Sequence, residues 1–493
     1  MYTFSCASKG MKLMSKIGLK LYIKIMLKFK NVPRSNSTRR FDIMPICPID
    51  TGRYGSKEMK ALFDEEGRLQ RYLDVEAALA YALAELGEIP RAAAEEIGKN
   101  ANTSKVTPEK VKEKERKTHH DLMAMVEVLS EECGSDGSGK YVHWGATSYD
   151  IVDSSWALIM RDGLGLLESR IVALRDLLCD LALRHKDLVE VGRTHGQHAI
   201  PITFGFKMAV YAAETARNLE RLRELRPRLV AGKMSGAVGT MSSQGEKAFI
   251  VERLVMERLR LKPAEITTQV VCRDRMAEFV CWAAIAASGL DRIATEVRNL
   301  QRTEILEAAE GFEAKAQVGS STMPHKQNPV DCEKVSGLAK VMRGLVVPAL
   351  ENVPLWHERD LTDSSSERFV IPMAFIILDE MLITLTRVMG GLRVFPENMR
   401  RNLGLTKGMI LTEAVMMALA RKGVGRQKAH ELMRRASVKA FNEGVAIGDV
   451  LAGMPEVTAC LTKGDIEALT DAEKYTGKAA ELVERAVRYA RGV

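Results

Sequence analysis

Two stretches of this 493-residue chain carry side chains whose types and spacing suggest chemistry. The first is Gly319-Ser-Ser-Thr-Met-Pro-His-Lys-Gln-Asn-Pro329, where glycine and hydroxyl residues let the backbone bend while Lys326 and Asn328 supply a cation and an amide donor. Its composition alone is also that of an ordinary surface loop. The second, Leu355–Arg368, sets Arg359 and Arg368 nine residues apart with Ser364 and Ser365 between them. Two fork-shaped donors flanking hydroxyls suit the oxygens of a phosphate, although arginines on a solvated face would read the same way. Gly232–Thr240 (GKMSGAVGT) lacks the terminal Gly-Lys-Ser/Thr that grips a triphosphate and reads as a turn between helices.

The elements that must position these groups are helices. Leu167, Ile171, Leu174, Leu178 and Leu181 recur at steps of four and three, as do Phe204, Met208, Tyr211, Thr215, Leu219 and Leu222 after Pro201, a residue suited to a helix's first turn. Leu290, Ile293, Val297 and Leu300 repeat the stripe, with Glu304 four residues further on. Phe279–Leu290 and Phe369–Leu378 are apolar on every side and too short to span a membrane, so they are expected as buried central helices. No alternating strand pattern of useful length is visible. Aromatics are 5% of the chain and methionines number 25, which favours stacked helices over a sheet. The expected fold is all-α, with a long antiparallel bundle at its centre. The Gly/Ser-rich run Cys133–Gly139 and the capping-box pattern Thr147-x-x-Asp150 mark one break; Phe395–Met399 marks another. The body is therefore divided into residues 44–147, 148–399 and 400–493.

The first loop resembles the GSSxMPxKxNP motif of the fumarase/aspartase lyase superfamily at every fixed position. Four further segments are similar to those of its adenylosuccinate-cleaving branch: Asp50–Gly55 with Arg53-Tyr54; Thr118-His-His-Asp121 with His143-Trp-Gly-Ala-Thr-Ser148; Gly192–Gln197; and Leu355–Arg368. Three positions depart from the pattern. His119 stands where many bacterial members carry Arg, Cys47 where His is frequent, and Tyr149 where a small polar residue follows Thr147-Ser148.

The resemblance implies a three-domain, all-α lyase whose central bundles form the many-helix core of a homotetramer, with each site shared among chains. It implies β-elimination of fumarate from a succinyl-substituted nucleotide, with Ser320 as base and His195, set among Thr194, Gln197 and Pro201, as acid. The carbanion would be held as an aci-carboxylate by Lys326 and Asn328. The substrate contacts it implies are Arg53, Tyr54, His119, His120, Asp121, His143, Thr147, Ser148, Thr194, Gln269, Lys326, Asn328, Arg359, Ser364 and Arg368, with no metal or organic cofactor. His185 and His430 read as structural. Other superfamily lyases (argininosuccinate lyase, fumarase, aspartase, a carboxymuconate cycloisomerase) and a silent protein on the same fold are the rival readings. The paired arginines argue against the former, whose substrates carry no phosphate.

The formal net charge of +8 has one address. Residues 1–43 hold ten Lys/Arg and one acid, leaving 62 basic and 63 acidic residues in the rest. A balanced body lacks the footprint of a nucleic-acid-binding domain. The extension is expected to be disordered or to precede a true start at Met44, and its regularly interrupted apolar runs cannot span a membrane. Eight cysteines without C-x-x-C or zinc-finger spacing suggest reduced thiols in a cytoplasmic protein.

Overall fold

The computed structural model describes residues 46–134, 137–311, 323 and 325–493. Ser320 and its neighbour Ser321 lie outside the described residues, as do residues 1–45 of the basic extension. Residues 46–51 form a turn in which the Asp50 amide donates to the Cys47 carbonyl at 2.9 Å. The body from Gly52 to Val493 is one unit.

Helices α1 (Lys57–Phe63), α2 (Glu65–Glu85), α3 (Arg91–Asn100), α4 (Pro108–Thr118) and α5 (Asp121–Glu132) precede the long helix α6 (Ser148–Arg184). Side chains start several of them. Ser56 accepts from the Met59 amide, Asp64 from Gly67, Thr107 from Lys110, and Thr147 and Asp150 form the expected capping box. Leu69, Leu73 and Leu79 of α2, Leu122, Met125 and Leu129 of α5, and Ile151 of α6 share one core.

Strands β1 (Val189–Thr194) and β2 (Gln197–Thr203) then form an antiparallel hairpin, which corrects the strand-free expectation and the assignment of Pro201 to a helix start. Val189 and Val191 on one strand and Ile200 and Ile202 on the other are too few for a periodic signal. Pro201 pairs with Val191 beside a register shift before Arg193, a place where a missing N–H is tolerated. Helix α7 (Phe204–Leu229) begins after Thr203, whose hydroxyl accepts from the Phe206 amide at 3.1 Å.

Helices α8 (Ala248–Leu259), α9 (Asp274–Leu300), α10 (Val330–Gly344), α11 (Val346–Glu351) and α12 (Thr362–Gly390) follow, and the bundle of α6, α7, α9, α10 and α12 forms the centre. Both apolar runs lie in its longest members. The second extends into a 29-residue helix long and apolar enough to cross a membrane by composition, yet 67% of its apolar window is buried among its neighbours. Phe369, at that run's start, is exposed, so the run is not buried on every side. Phe279 and Phe375 stack at 4.1 Å between centroids, and Gly163 of α6 makes room, since a Cβ there would lie 2.7 Å from the Phe375 ring. Helix α9 ends at Leu300, so Glu304 does not extend its stripe. Helices between Thr412 and Leu469 pack around their own core of Val415, Leu419, Leu432, Met433 and Leu451, while the last helix, Ala479–Gly492, packs back on α6 and α7. All-α architecture is thus borne out apart from one hairpin and isolated two-residue strands.

Candidate active site

A cavity of about 440 Å³ opens where α4, α5, the start of α6 and the start of α12 converge. It is lined by His119, His120, Asp121, Thr147, Ser148, Gln269, Arg359, Ser364 and Arg368, nine of the residues expected to touch substrate. Arg68 and Tyr72 of α2, Glu115 of α4 and Tyr149 of α6 complete much of the wall, and sequence reasoning had named only Tyr149 among them.

Local geometry explains how each side chain is held. His119 takes a left-handed conformation (φ 52°) that stops α4, and His120 caps α5, its Nδ1 accepting from the Met123 amide at 3.3 Å. Asp121 receives Arg368 Nη2 at 2.8 Å. Arg359 donates from Nη1 to Gln269 Oε1 at 3.1 Å, and its buried Nε and Nη2 have no hydrogen-bond partner among the described residues. Those two nitrogens form the edge of a guanidinium that engages an anion through parallel hydrogen bonds. Buried donors without partners are costly, so this edge calls for an acceptor.

Behind the cavity, Arg273 is buried among three carboxylates: Asp153 of α6 at 2.9 Å, and Asp363 and Glu367 of α12 at 3.1 and 2.7 Å. This hub ties α6, α9 and α12 together and so fixes the helix turn that bears Ser364 and Arg368. Burial pushes Glu367 up to about 7 despite the opposing Arg273 charge. The neighbouring Asp363 and Asp153 carboxylates add to the shift.

The remaining predicted residues lie elsewhere on the chain. Lys326 and Asn328 line a separate cavity of about 700 Å³ with Arg298, Arg302, His325 and Arg393. Thr194 is exposed, and His195 stands at the exposed tip of the hairpin. His195 and Gly196 both have positive φ (54° and 74°), the signature of a two-residue turn that favours Asn-Gly. A histidine there is less suited to the turn than asparagine. The hairpin is anchored by Arg193, which donates to both oxygens of the buried Glu307. Arg53 is exposed and Tyr54 half-buried. The amide of the following Gly55 donates to Glu380 Oε2 at 2.9 Å, and Glu380 also binds Lys334 of α10. His143 is held by Glu76 of α2, with Nδ1 to Oε1 2.6 Å. Burial opposes its charge, but the Glu76 carboxylate outweighs burial and the His143 pKa is raised.

His185 packs edge-on against Phe204, in keeping with a structural role. The Gly232–Thr240 loop is held by Lys233, fully buried and bonded to Asp150 of the α6 capping box at 2.5 Å, with the Ser235 and Gly236 amides also donating to that carboxylate. It therefore braces the start of α6 under Thr147 and Ser148. Among the described residues no group of His, Cys, Asp and Glu has the arrangement of a metal site.

Comparison with known proteins agrees with this geometry. A model described as "Lyase" matches residues 52–344, and one described as "Adenylosuccinate lyase C-terminus" matches residues 408–486. The chain is 53% identical over 446 residues to an adenylosuccinate lyase of Pyrococcus abyssi, covering 90% of this chain and 98% of that one. It is 40% identical over 433 residues to an adenylosuccinate lyase of Thermotoga maritima, covering 88% and 98%. Among solved structures, a fumarate lyase from Mesorhizobium sp. BNC1 matches with a TM-score of 0.82 at 34% identity, covering 90% of this chain and 100% of that one. A 3-carboxy-cis,cis-muconate lactonizing enzyme from Pseudomonas putida matches with a TM-score of 0.83 at 33% identity, covering 90% and 99%. With family models matched along most of its body and relatives of one kind aligned over nearly all of it, the chain belongs to the adenylosuccinate lyase family.

Proposed function

We propose that this chain removes fumarate from adenylosuccinate, giving AMP, and from the succinyl-carboxamide imidazole ribotide, giving the carboxamide ribotide, by β-elimination. The observation that carries the reading is the unpartnered Nε–Nη2 edge of Arg359, a residue that lines one cavity with Ser364 and Arg368. A phosphate monoester fits that edge, and the substrates of the rival superfamily reactions have none to offer.

In this reading Arg359, Ser364 and Arg368 hold the phosphate, with Arg53 and Tyr54 brought from another chain. His120, Thr147, Ser148 and Gln269 place the base and ribose. Ser320 removes the proton beside the succinyl carboxylate. The electron pair moves into that carboxylate, where Lys326 and Asn328 meet charge that develops only in the transition state. The C–N bond then breaks as His195 protonates the departing nitrogen, so proton and electron pair are both accounted for. The chemistry needs no metal or organic cofactor.

Separation of the candidate residues within one chain supports a homotetramer with shared sites. Lys326 and Asn328, His195, and Arg53 lie outside the Arg359 cavity lining, so further copies would have to supply them. Exposed apolar side chains on α9 to α12 (Ile285, Val341, Val347, Leu350, Phe369) offer the surface for such assembly. The division at about residues 147 and 399 is retained as a proposal, since α6 begins at Ser148 and a new helix begins at Pro396. Free thiols at Cys179, Cys281 and Cys332 are compatible with a cytoplasmic setting. Nucleic acid and membrane are not proposed as partners.

Incubation with adenylosuccinate, with fumarate measured directly, tests the assignment. Absence of fumarate at saturating substrate would remove it.

A further inference from the structure

The unpartnered edge of Arg359 has to be held in place, because the residue sits in irregular chain between α11 and α12. Its backbone is steadied by Asp360, which accepts from the Trp356 and Thr362 amides at 2.8 Å each. That leaves the long side chain to be fixed by other contacts. Gln269 takes one nitrogen, Nη1. The larger contact is with Tyr149: the Arg359 guanidinium carbon lies 3.6 Å from the centre of the Tyr149 ring. At that distance the planar cation rests against the ring, which fixes its plane without taking up its N–H donors. The Tyr149 hydroxyl also reaches Ser364 Oγ at 3.5 Å. Tyr149 itself belongs to the first turn of α6, next to Ser148, on the helix start braced by Asp150 and Lys233.

We infer that Tyr149 is a positioning residue for anion binding, acting as a platform that holds Arg359 with its Nε–Nη2 edge toward the substrate phosphate and links that edge to Ser148. The assignment rests on the phosphate reading of the Arg359 cavity. It extends that reading to the residue that follows Thr147-Ser148 in the first turn of α6. Stacking supplies most of the effect, and the Ser364 contact, at 3.5 Å, supplies little.

The test uses the full-length chain with Tyr149→Phe, Tyr149→Leu and Tyr149→Met, the last serving if Leu impairs folding as judged by thermal melting. Tyr149→Phe keeps the platform and should remain within about twofold of wild type in both kcat and KM. The ringless variants should raise KM for adenylosuccinate about tenfold, or about 1.4 kcal/mol, while kcat stays within about twofold. The dephosphorylated nucleoside of the substrate should show no such penalty. In an Arg359→Lys background, which removes the stacked fork, losing the ring should add nothing further. Calorimetric binding of inorganic phosphate should weaken in the ringless variants in parallel with KM. This arm reports on Tyr149 even if adenylosuccinate is not turned over, an outcome that would overturn only the proposed reaction. Unchanged KM and unchanged phosphate binding in folded ringless variants, or an equal loss with and without the substrate phosphate, would overturn the role of Tyr149.

Discussion

Arg193 donates two parallel hydrogen bonds, of 2.7 and 2.8 Å, to the carboxylate of Glu307, and this pair ties the hairpin bearing His195 to the segment that follows α9, where the Glu307 amide donates to the Leu300 carbonyl. Glu307 is fully buried and takes a further hydrogen bond from Asn402 at 2.8 Å. Removing one partner of such a pair strands a charge and typically costs about 3–5 kcal/mol. Arg193→Lys keeps the charge but loses the fork. We expect the variant to fold, with kcat lowered about tenfold and KM little changed, because the acid is displaced while substrate contacts remain. Steady-state kinetics alongside a thermal melt check this. An unchanged kcat would remove the anchoring role.

The hairpin tip gives a second prediction. His195 occupies a left-handed turn position where asparagine is preferred. His195→Asn should therefore leave the melting temperature unchanged or slightly higher while turnover falls about 10²–10⁴-fold. Alanine would confound loss of chemistry with loss of turn preference. If the Asn variant retained turnover near wild type, His195 would not be the acid.

Much of this was legible in sequence because the relevant signals were local. Helical stripes, the Thr147/Asp150 capping box and the spacing of Arg359, Ser364 and Arg368 each follow from residues a few positions apart. The hairpin was missed because its strands are short and interrupted by Gly192 and Pro201. Arg68, Tyr72 and Glu76 were missed because only tertiary packing brings α2 to the cavity and to His143. One clue to Glu76 was available: it interrupts the apolar series Leu69, Leu73 and Leu79, and a buried acid in a core stripe needs a partner. Arg273 and its three acids are likewise contributed by segments far apart in the chain.

The Glu76–His143 contact makes stability depend on pH in a defined direction. Its pKa is raised in the folded state, net of the opposing effect of burial. The folded protein thus holds the proton more tightly than the unfolded chain. The contribution is fully present below the unfolded value of about 6.5 and is lost as pH rises through the folded value. Glu76→Gln should flatten that limb of the melting-temperature profile and move the His143 ring titration downward. A ring titration unaffected by the substitution would contradict the pairing.

Glu190 of β1 works in the same direction through a different cause. Burial pushes it up to about 7, with Lys207 at 3.2 Å opposing and Glu307 adding to the shift. A carboxyl group that keeps its proton longer when folded favours the native state at low pH. That contribution diminishes between about 4.5 and 7 as the unfolded chain, and then the folded one, ionises. Glu190→Gln should accordingly stabilise the protein more at pH 8 than at pH 5. Equal effects at the two values would show that Glu190 is ionised throughout.

Shared sites are tested by mixing two inactive variants. Ser320→Ala and His195→Asn should each be silent alone, and subunit exchange between them should restore part of the activity. No recovery after confirmed exchange would count against sites built from several chains.

The most direct test of the whole account is fumarate release from adenylosuccinate by the wild-type chain, compared with Arg359→Lys. We predict stoichiometric fumarate and AMP from the wild type, and from the variant a KM raised by at least about tenfold, the scale of one lost bidentate contact. Fumarate production with an unaltered KM in Arg359→Lys would contradict the phosphate assignment. No fumarate from the wild type would contradict the reaction itself.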